Sequence, residues 1–144
     1  MTATPHAQPH PAPAKAFSRA QVTGLVLAWA MALYMAVNTA RASLDPVGFA
    51  ATLGAPLADP ADTGFVFVYA FRAAFLALLV GWLALRRDVG TLRFVALAAV
   101  VMPLGDAVLT QSLGAPPATV ARHGAIIVLL ALVWALLGAR PRMR

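Results

Sequence analysis

The sequence predicts an all-α membrane protein: four transmembrane helices in an antiparallel bundle, plus a short interfacial helix in the first outer loop. Three observations carry this. The 144 residues are 61% hydrophobic and only 11% charged, whereas a soluble domain of this size carries roughly a quarter of its residues charged. The apolar residues gather into four runs, each about as long as a bilayer is thick. The basic residues lie mostly between those runs, which is how membrane topology is encoded. There is no cysteine, so disulfides, thiolate metal sites and cysteine nucleophiles are excluded.

Residues 1–19 read as a disordered cytoplasmic tail. The start, "MTATPHAQPHPAPAKAF", is rich in Pro and Ala and has no apolar periodicity. His6 and His10 lie on it and are read as solvated, not as metal ligands. The first span covers residues 20–40, uncharged between Arg19 and Arg41. At 1.5 Å per residue it reaches about 30 Å, the thickness of the hydrocarbon core. Gly24, Ala28, Ala32, Ala36 and Ala40 place a small residue at every fourth position, a seam for close helix approach.

In the loop that follows, "SLDPVGFAATLGAP" (43–56) carries helix punctuation. Asp45 suits an N-cap, Pro46 the first helical position, and Gly54 the stop before Pro56. Phe49 and Leu53 share a face, so the short helix lies in the interface or tucks against the bundle.

The second span covers residues 64–85 and is interrupted only by Arg72. The third covers 94–113 and contains Asp106. The fourth covers 118–139, with Arg122 and His123 near its start. Residues 140–144 form a basic cytoplasmic tail. Lys15, Arg19, Arg86, Arg87, Arg93, Arg140, Arg142 and Arg144 fall on one side. Arg41 with Asp45, Asp59 and Asp62 falls on the other. The positive-inside rule then sets both termini in the cytoplasm of a multi-pass protein of the inner (plasma) membrane. An alternative stays open: residues up to "ARA" (40–42) acting as a cleaved secretory signal, which leaves three spans.

Helical rise places the intramembrane polar residues by depth. Arg72 lies about 12 Å from the outer start of its span, Asp106 about 10 Å from its outer end, and His123 about 7–8 Å in. Tyr69 shares a face with Arg72, and Thr110 with Asp106. Asn38 reaches the same level from the first span. Arg72, Asp106, His123, Tyr69 and Asn38 are therefore expected to cluster, with Arg72 pairing to an ionised Asp106. Pro103 cannot donate to the Ala99 carbonyl and is expected to kink the third span, with Gly105 leaving space beside the bend.

Intramembrane charge marks function or packing. Three readings stay open. One is an ion pair that sets helix packing. A second is a site for a small polar, lipid or quinone-like ligand. The third is catalysis or proton-coupled transport, with a membrane-embedded enzyme or redox partner using the cluster. No catalytic residues, cofactor or metal site are assigned, since no H-E-x-x-H, nucleophile elbow or P-loop is present. The expected partners are the bilayer, a homo-oligomer or a larger membrane complex, and no nucleic acid. The leading reading is a non-enzymatic accessory subunit or ligand binder.

The order of these features resembles a family of small four-helix membrane proteins known as domain of unknown function 4267. The features are "DPVGFAATLGAP" after a first span, Arg in the second, Gly-Asp in the third and Arg-His opening the fourth. In layout the chain is also similar to the DoxX-like membrane proteins. The resemblance spans residues 20–139 and implies four membrane spans, with no particular activity. It maps a loop signature onto Pro46, Phe49, Gly54 and Pro56, and polar positions onto Arg72, Asp106 and His123. The chain departs from the family pattern beside Arg72, where Phe71 and Ala73 stand in place of a glycine and an acid.

Overall fold

A computed structural model describes residues 17–139. Most of the N-terminal tail, with His6 and His10, and the basic tail 140–144 lie outside the described residues. The elements are α1 (Arg19–Leu44), α2 (Pro46–Leu53), α3 (Gly64–Leu85), α4 (Val89–Ala99), α5 (Val101–Ser112) and α6 (Pro117–Leu137). With α4 and α5 taken together as one interrupted span, four helices of 26, 22, 24 and 21 residues are long and apolar enough to cross a membrane. The short helix is α2. The third span starts at Val89, well before residue 94, because Asp88 caps it.

The helix ends are written into the local sequence. Ser18 and Gln21 form a capping box at the start of α1: the Ser18 hydroxyl accepts from the Gln21 N–H at 3.2 Å, and the Gln21 side chain accepts from the Ser18 N–H at 3.0 Å. Asp45 caps α2, accepting from the Gly48 N–H at 2.9 Å, with Pro46 in the first turn. Gly54 ends α2 in the left-handed conformation, φ 93°. Its N–H donates to the Ala51 carbonyl, and the Ala55 N–H donates to that of Ala50. This Schellman pattern satisfies carbonyls the helix leaves open.

The same bond pattern closes α3, but the left-handed residue there is Arg87, φ 54°. A side chain in this conformation is strained where glycine is not. Arg87→Gly is therefore expected to raise stability by about 0.5–1 kcal/mol, after the entropy that glycine adds to the unfolded chain. A thermal melt in detergent checks it.

Asp88 follows at once and caps α4. The Thr91 hydroxyl and N–H donate to its two oxygens at 2.7 and 3.1 Å. Those bonds, led by the hydroxyl, hold the Asp88 carboxyl below its ordinary value of 3.8. A depressed folded value makes its contribution present above the unfolded value and lost as pH falls through the folded one. The first turn of α4 is thus expected to lose amide-exchange protection on acidification below about 4. Asp88→Asn keeps the cap and removes the titration, so its exchange is expected to change less over that range.

The packing is inverted relative to a soluble bundle. Inward positions are small: Ala28, Ala32, Ala42, Ala50, Ala70 and Ala73 are all buried. Outward positions are large: Phe71, Phe75, Leu78 and Phe94 are more than 60% exposed. Among close-packed helices in lipid, backbone approach does the work, and the apolar exterior meets acyl chains. Gly24 shows the closeness, since a Cβ there would lie 2.8 Å from Leu137 on α6. The predicted seam holds for Gly24, Ala28 and Ala32, whereas Ala36 and Ala40 are exposed. A spacing of four advances the face by about 40° per step at 3.6 residues per turn. By Ala36 the stripe has rotated outward, and Asn38 and Ala42 are buried instead.

Two packed clusters stand at opposite ends of the bundle. One lies near the termini and joins all four spans: Ala28, Leu83, Ala84, Leu92, Ala96, Val133 and Leu137. The other, at the loop end, joins Ala42 of α1, Phe49 and Ala50 of α2, and Val66 and Ala70 of α3. The Phe49 and Tyr69 rings meet within it, centroids 5.1 Å apart. The Thr39 hydroxyl also donates across to the Ala70 carbonyl at 3.3 Å. The short helix is therefore tucked against the end of the bundle as a roof.

Candidate functional site

Between the two clusters the bundle is loose. A cavity opens there among α1, α3, α5 and α6, with Leu53 of α2 at its roof and Ala99 of α4 at its floor. The interruption of the third span lies beside this cavity. Pro103 has no N–H for the Ala99 carbonyl, and the helix is interrupted at Val100, one turn before the proline. Pro103 itself is buried against the cavity. Gly105 faces outward, and a Cβ there would meet nothing within 4 Å.

The wall has two chemistries. Tyr34, Tyr69, Asp106, Arg122 and His123 supply the polar part. Met31, Met35, Leu76, Val80, Met102, Ile126 and Leu130 supply most of the apolar part. The space comes to about 780 Å³ with its open mouth and crevices included. Its enclosed core measures only about 80 Å³. That is room for a few waters or one small headgroup, each water needing roughly 10–15 Å³ by this measure.

His123 is the most telling residue. It is 2% exposed, and its Nε2 has no hydrogen-bond partner among the described residues. A buried ring nitrogen left unsatisfied costs free energy that a partner would recover. Asp106 stands on the same wall, half-buried.

The expected ion pair does not form. Among the described residues no acid and base come within 4.0 Å of each other. Arg72 is exposed in a neighbouring crevice with Phe71, Phe75, Leu76 and Met102, outside the cavity wall. The reason is tertiary. α3 packs on α1, α2 and α4, while α5 packs on α4 and α6. The second and third spans meet near their shared hairpin and diverge toward the loop end, where Arg72 and Asp106 lie. Asn38 is 5% exposed but does not line the cavity either. Of the five residues expected to cluster, the fold brings Asp106, His123 and Tyr69 to one wall.

Two polar members were not anticipated as site residues. Tyr34 reaches the wall from α1, and a polar-tipped side chain in an apolar span was its sequence signal. Arg122 touches the cavity and also holds its roof, its Nη2 donating to the Thr52 carbonyl at 2.7 Å. That bond satisfies a carbonyl near the end of α2, and no local pattern in the sequence reveals it. Thr110 turns its hydroxyl to the Asp106 and Ala107 carbonyls of its own helix, at 2.8 and 3.2 Å, and so faces backbone, not ligand. The loop signature serves the roof. Phe49 is buried, and a Cβ on Gly54 would come within 2.6 Å of Thr119 and 3.2 Å of Thr110.

Fold and site together define a multi-pass membrane protein whose four-span bundle encloses a cavity polar on one part of its wall. The chain belongs to the family described as domain of unknown function DUF4267, whose model matches residues 32–138. The match takes in every cavity residue named above except Met31. No curated protein and no solved structure matches the chain.

Proposed function

We propose that this protein binds an amphipathic ligand dissolved in the membrane, its small polar head against His123, Tyr69 and Tyr34 and its chain along the methionines and aliphatic residues. The observation that carries this is the unsatisfied Nε2 of a buried histidine on the wall of an open cavity. Burial without a partner is costly, and a ligand head that hydrogen-bonds there offsets the cost. Ligand pockets characteristically combine an apolar lining with a few placed polar groups. The protein acts as a non-enzymatic binder or accessory subunit in the inner membrane, with both termini cytoplasmic. Kinship with the DoxX-like proteins belongs to the same reading and rests on layout alone.

Native mass spectrometry of the full chain released from lipid nanodiscs tests it. The parent is expected to carry a discrete amphiphile. Ala73→Leu, which fills the cavity, and His123→Leu, which removes the head's partner, are each expected to lower its occupancy at least tenfold. A parent that carries nothing beyond loosely held annular lipid overturns the reading. The orientation has its own check: a reporter active only outside the cytoplasm, fused after Arg144, is expected to stay silent.

A further inference from the structure

The cavity is closed on one side and nearly open on another. Toward the loop end it is roofed by α2, with Leu53 in the wall, the Arg122–Thr52 bond beside it and Gly54 pressed on Thr119. Sideways it is nearly open. Leu76 of α3 and Met102 of α5 line both the cavity and the outer crevice, so two flexible side chains separate the interior from the acyl chains of the bilayer. This lies where α3 and α5 diverge. In the crevice stands Arg72, a guanidinium among Phe71, Phe75, Leu76 and Met102, with no acid within 4.0 Å among the described residues.

We propose that the gap between α3 and α5 is a lateral portal through which a single-chain lipid with a carboxylate head, a fatty acid, enters from the bilayer. Arg72 engages the head at the threshold. The proposal rests on the binding function above and adds the class of ligand and its route. Charge complementarity supplies the class. Arg72 and Arg122 border the two joined spaces against the single carboxylate of Asp106, a balance that favours an anion. A guanidinium binds a carboxylate through two parallel N–H bonds, which repays some of the cost of holding Arg72 at this depth. Compactness supplies the rest, because the enclosed core is only about 80 Å³ and a carboxylate is among the smallest lipid head groups. The chain then trails between Phe71 and Phe75 into lipid. Leu76 and Met102 are long and unbranched at Cβ, so both can swing aside.

The test uses the full chain with phosphatidylcholine vesicles carrying oleate or, separately, oleyl alcohol. Bound oleate and alcohol are counted by native mass spectrometry, and uptake is timed. Oleate is expected to be retained at least tenfold more than the alcohol. Arg72→Gln is expected to remove that preference, and Arg72→Lys to restore part of it. Met102→Trp is expected to slow oleate uptake about tenfold, and Met102→Ala to speed it. Equal retention of oleate and alcohol by the parent, with both displaced by Ala73→Leu, overturns the acidic-head portal while leaving the cavity reading intact. Oleate preference that survives Arg72→Gln, or uptake indifferent to residue 102, also overturns it. Binding of a diacyl anionic phospholipid in place of oleate does the same. If neither probe is retained by the parent and no endogenous amphiphile copurifies, the cavity reading falls with it.

Discussion

Asp106→Asn is expected to leave heat resistance unchanged or to raise it by about 1–2 kcal/mol. An aspartate near the middle of a span costs about 2.5–3.5 kcal/mol on insertion scales, and a neutral amide costs less. Were Asp106 held in a buried ion pair, removing its charge would strand the partner and cost about 3–5 kcal/mol. Arg72 lies outside the cavity wall and forms no such pair, so nothing is stranded. Thermal melting of parent and variant in one detergent decides the matter, and a fall of several kcal/mol would mean a paired carboxylate. In the same variant, oleate retention is expected to rise, because the one carboxylate on the wall is gone.

Gly54→Val is expected to destabilise the protein by about 2–4 kcal/mol. Two independent costs meet at this residue. Its φ of 93° is left-handed, which costs a side-chain-bearing residue about 1–2 kcal/mol. A Cβ there would also press on Thr119 at 2.6 Å, Thr110 at 3.2 Å and Ala115 at 3.3 Å, and overpacking of this kind costs about 1–3 kcal/mol. Two of the three contacts are side chains on α5 and α6, so the clash acts on the joint between roof and bundle. Gly54→Ala carries the same backbone strain with less bulk and is expected to fall between parent and valine. Melts of the three proteins check the order. A valine variant that melts with the parent would mean that α2 does not seat on the bundle as described.

Much of the architecture was legible because local rules set it. Four apolar runs and the short helix between the first two are readable from hydropathy and from Asp45, Pro46 and Gly54 alone. Lipid outside the bundle and backbone bonding inside each helix leave a single regular solution for each run. The interruption of the third span was legible for the same reason, since Pro103 lacks an N–H wherever it sits. The start of the third span was less so, because the charged "RRD" and Arg93 masked a helix that Asp88 had already capped at Val89.

Depth along each span was also legible, since the helical rise converts residue number into height. That arithmetic brought Arg72, Asp106 and His123 to one level, and the cavity holds the last two together with Tyr69, which shares a face with Arg72. Depth says nothing of azimuth or of which spans are neighbours. Arg72 and Asp106 share a level yet do not pair, because α5 leans on α6 and away from α3. Arg122 was visible as a charge near the start of the last span, but its bond to the Thr52 carbonyl joins residues 70 positions apart.

The sequence by itself determined that this chain is a four-helix membrane protein, where its helices cap and bend, and at what height its polar residues lie. Hydropathy, capping and backbone sterics act within a few residues, and one strand of letters contains them entirely. Only the tertiary structure decided which of those residues face one another. Helix rotation and neighbour choice are settled by side chains meeting across spans, here by small residues that let α1 approach α3 and α6. The gap between α3 and α5, the cavity behind it and the placing of Arg72 at its edge all follow from that packing.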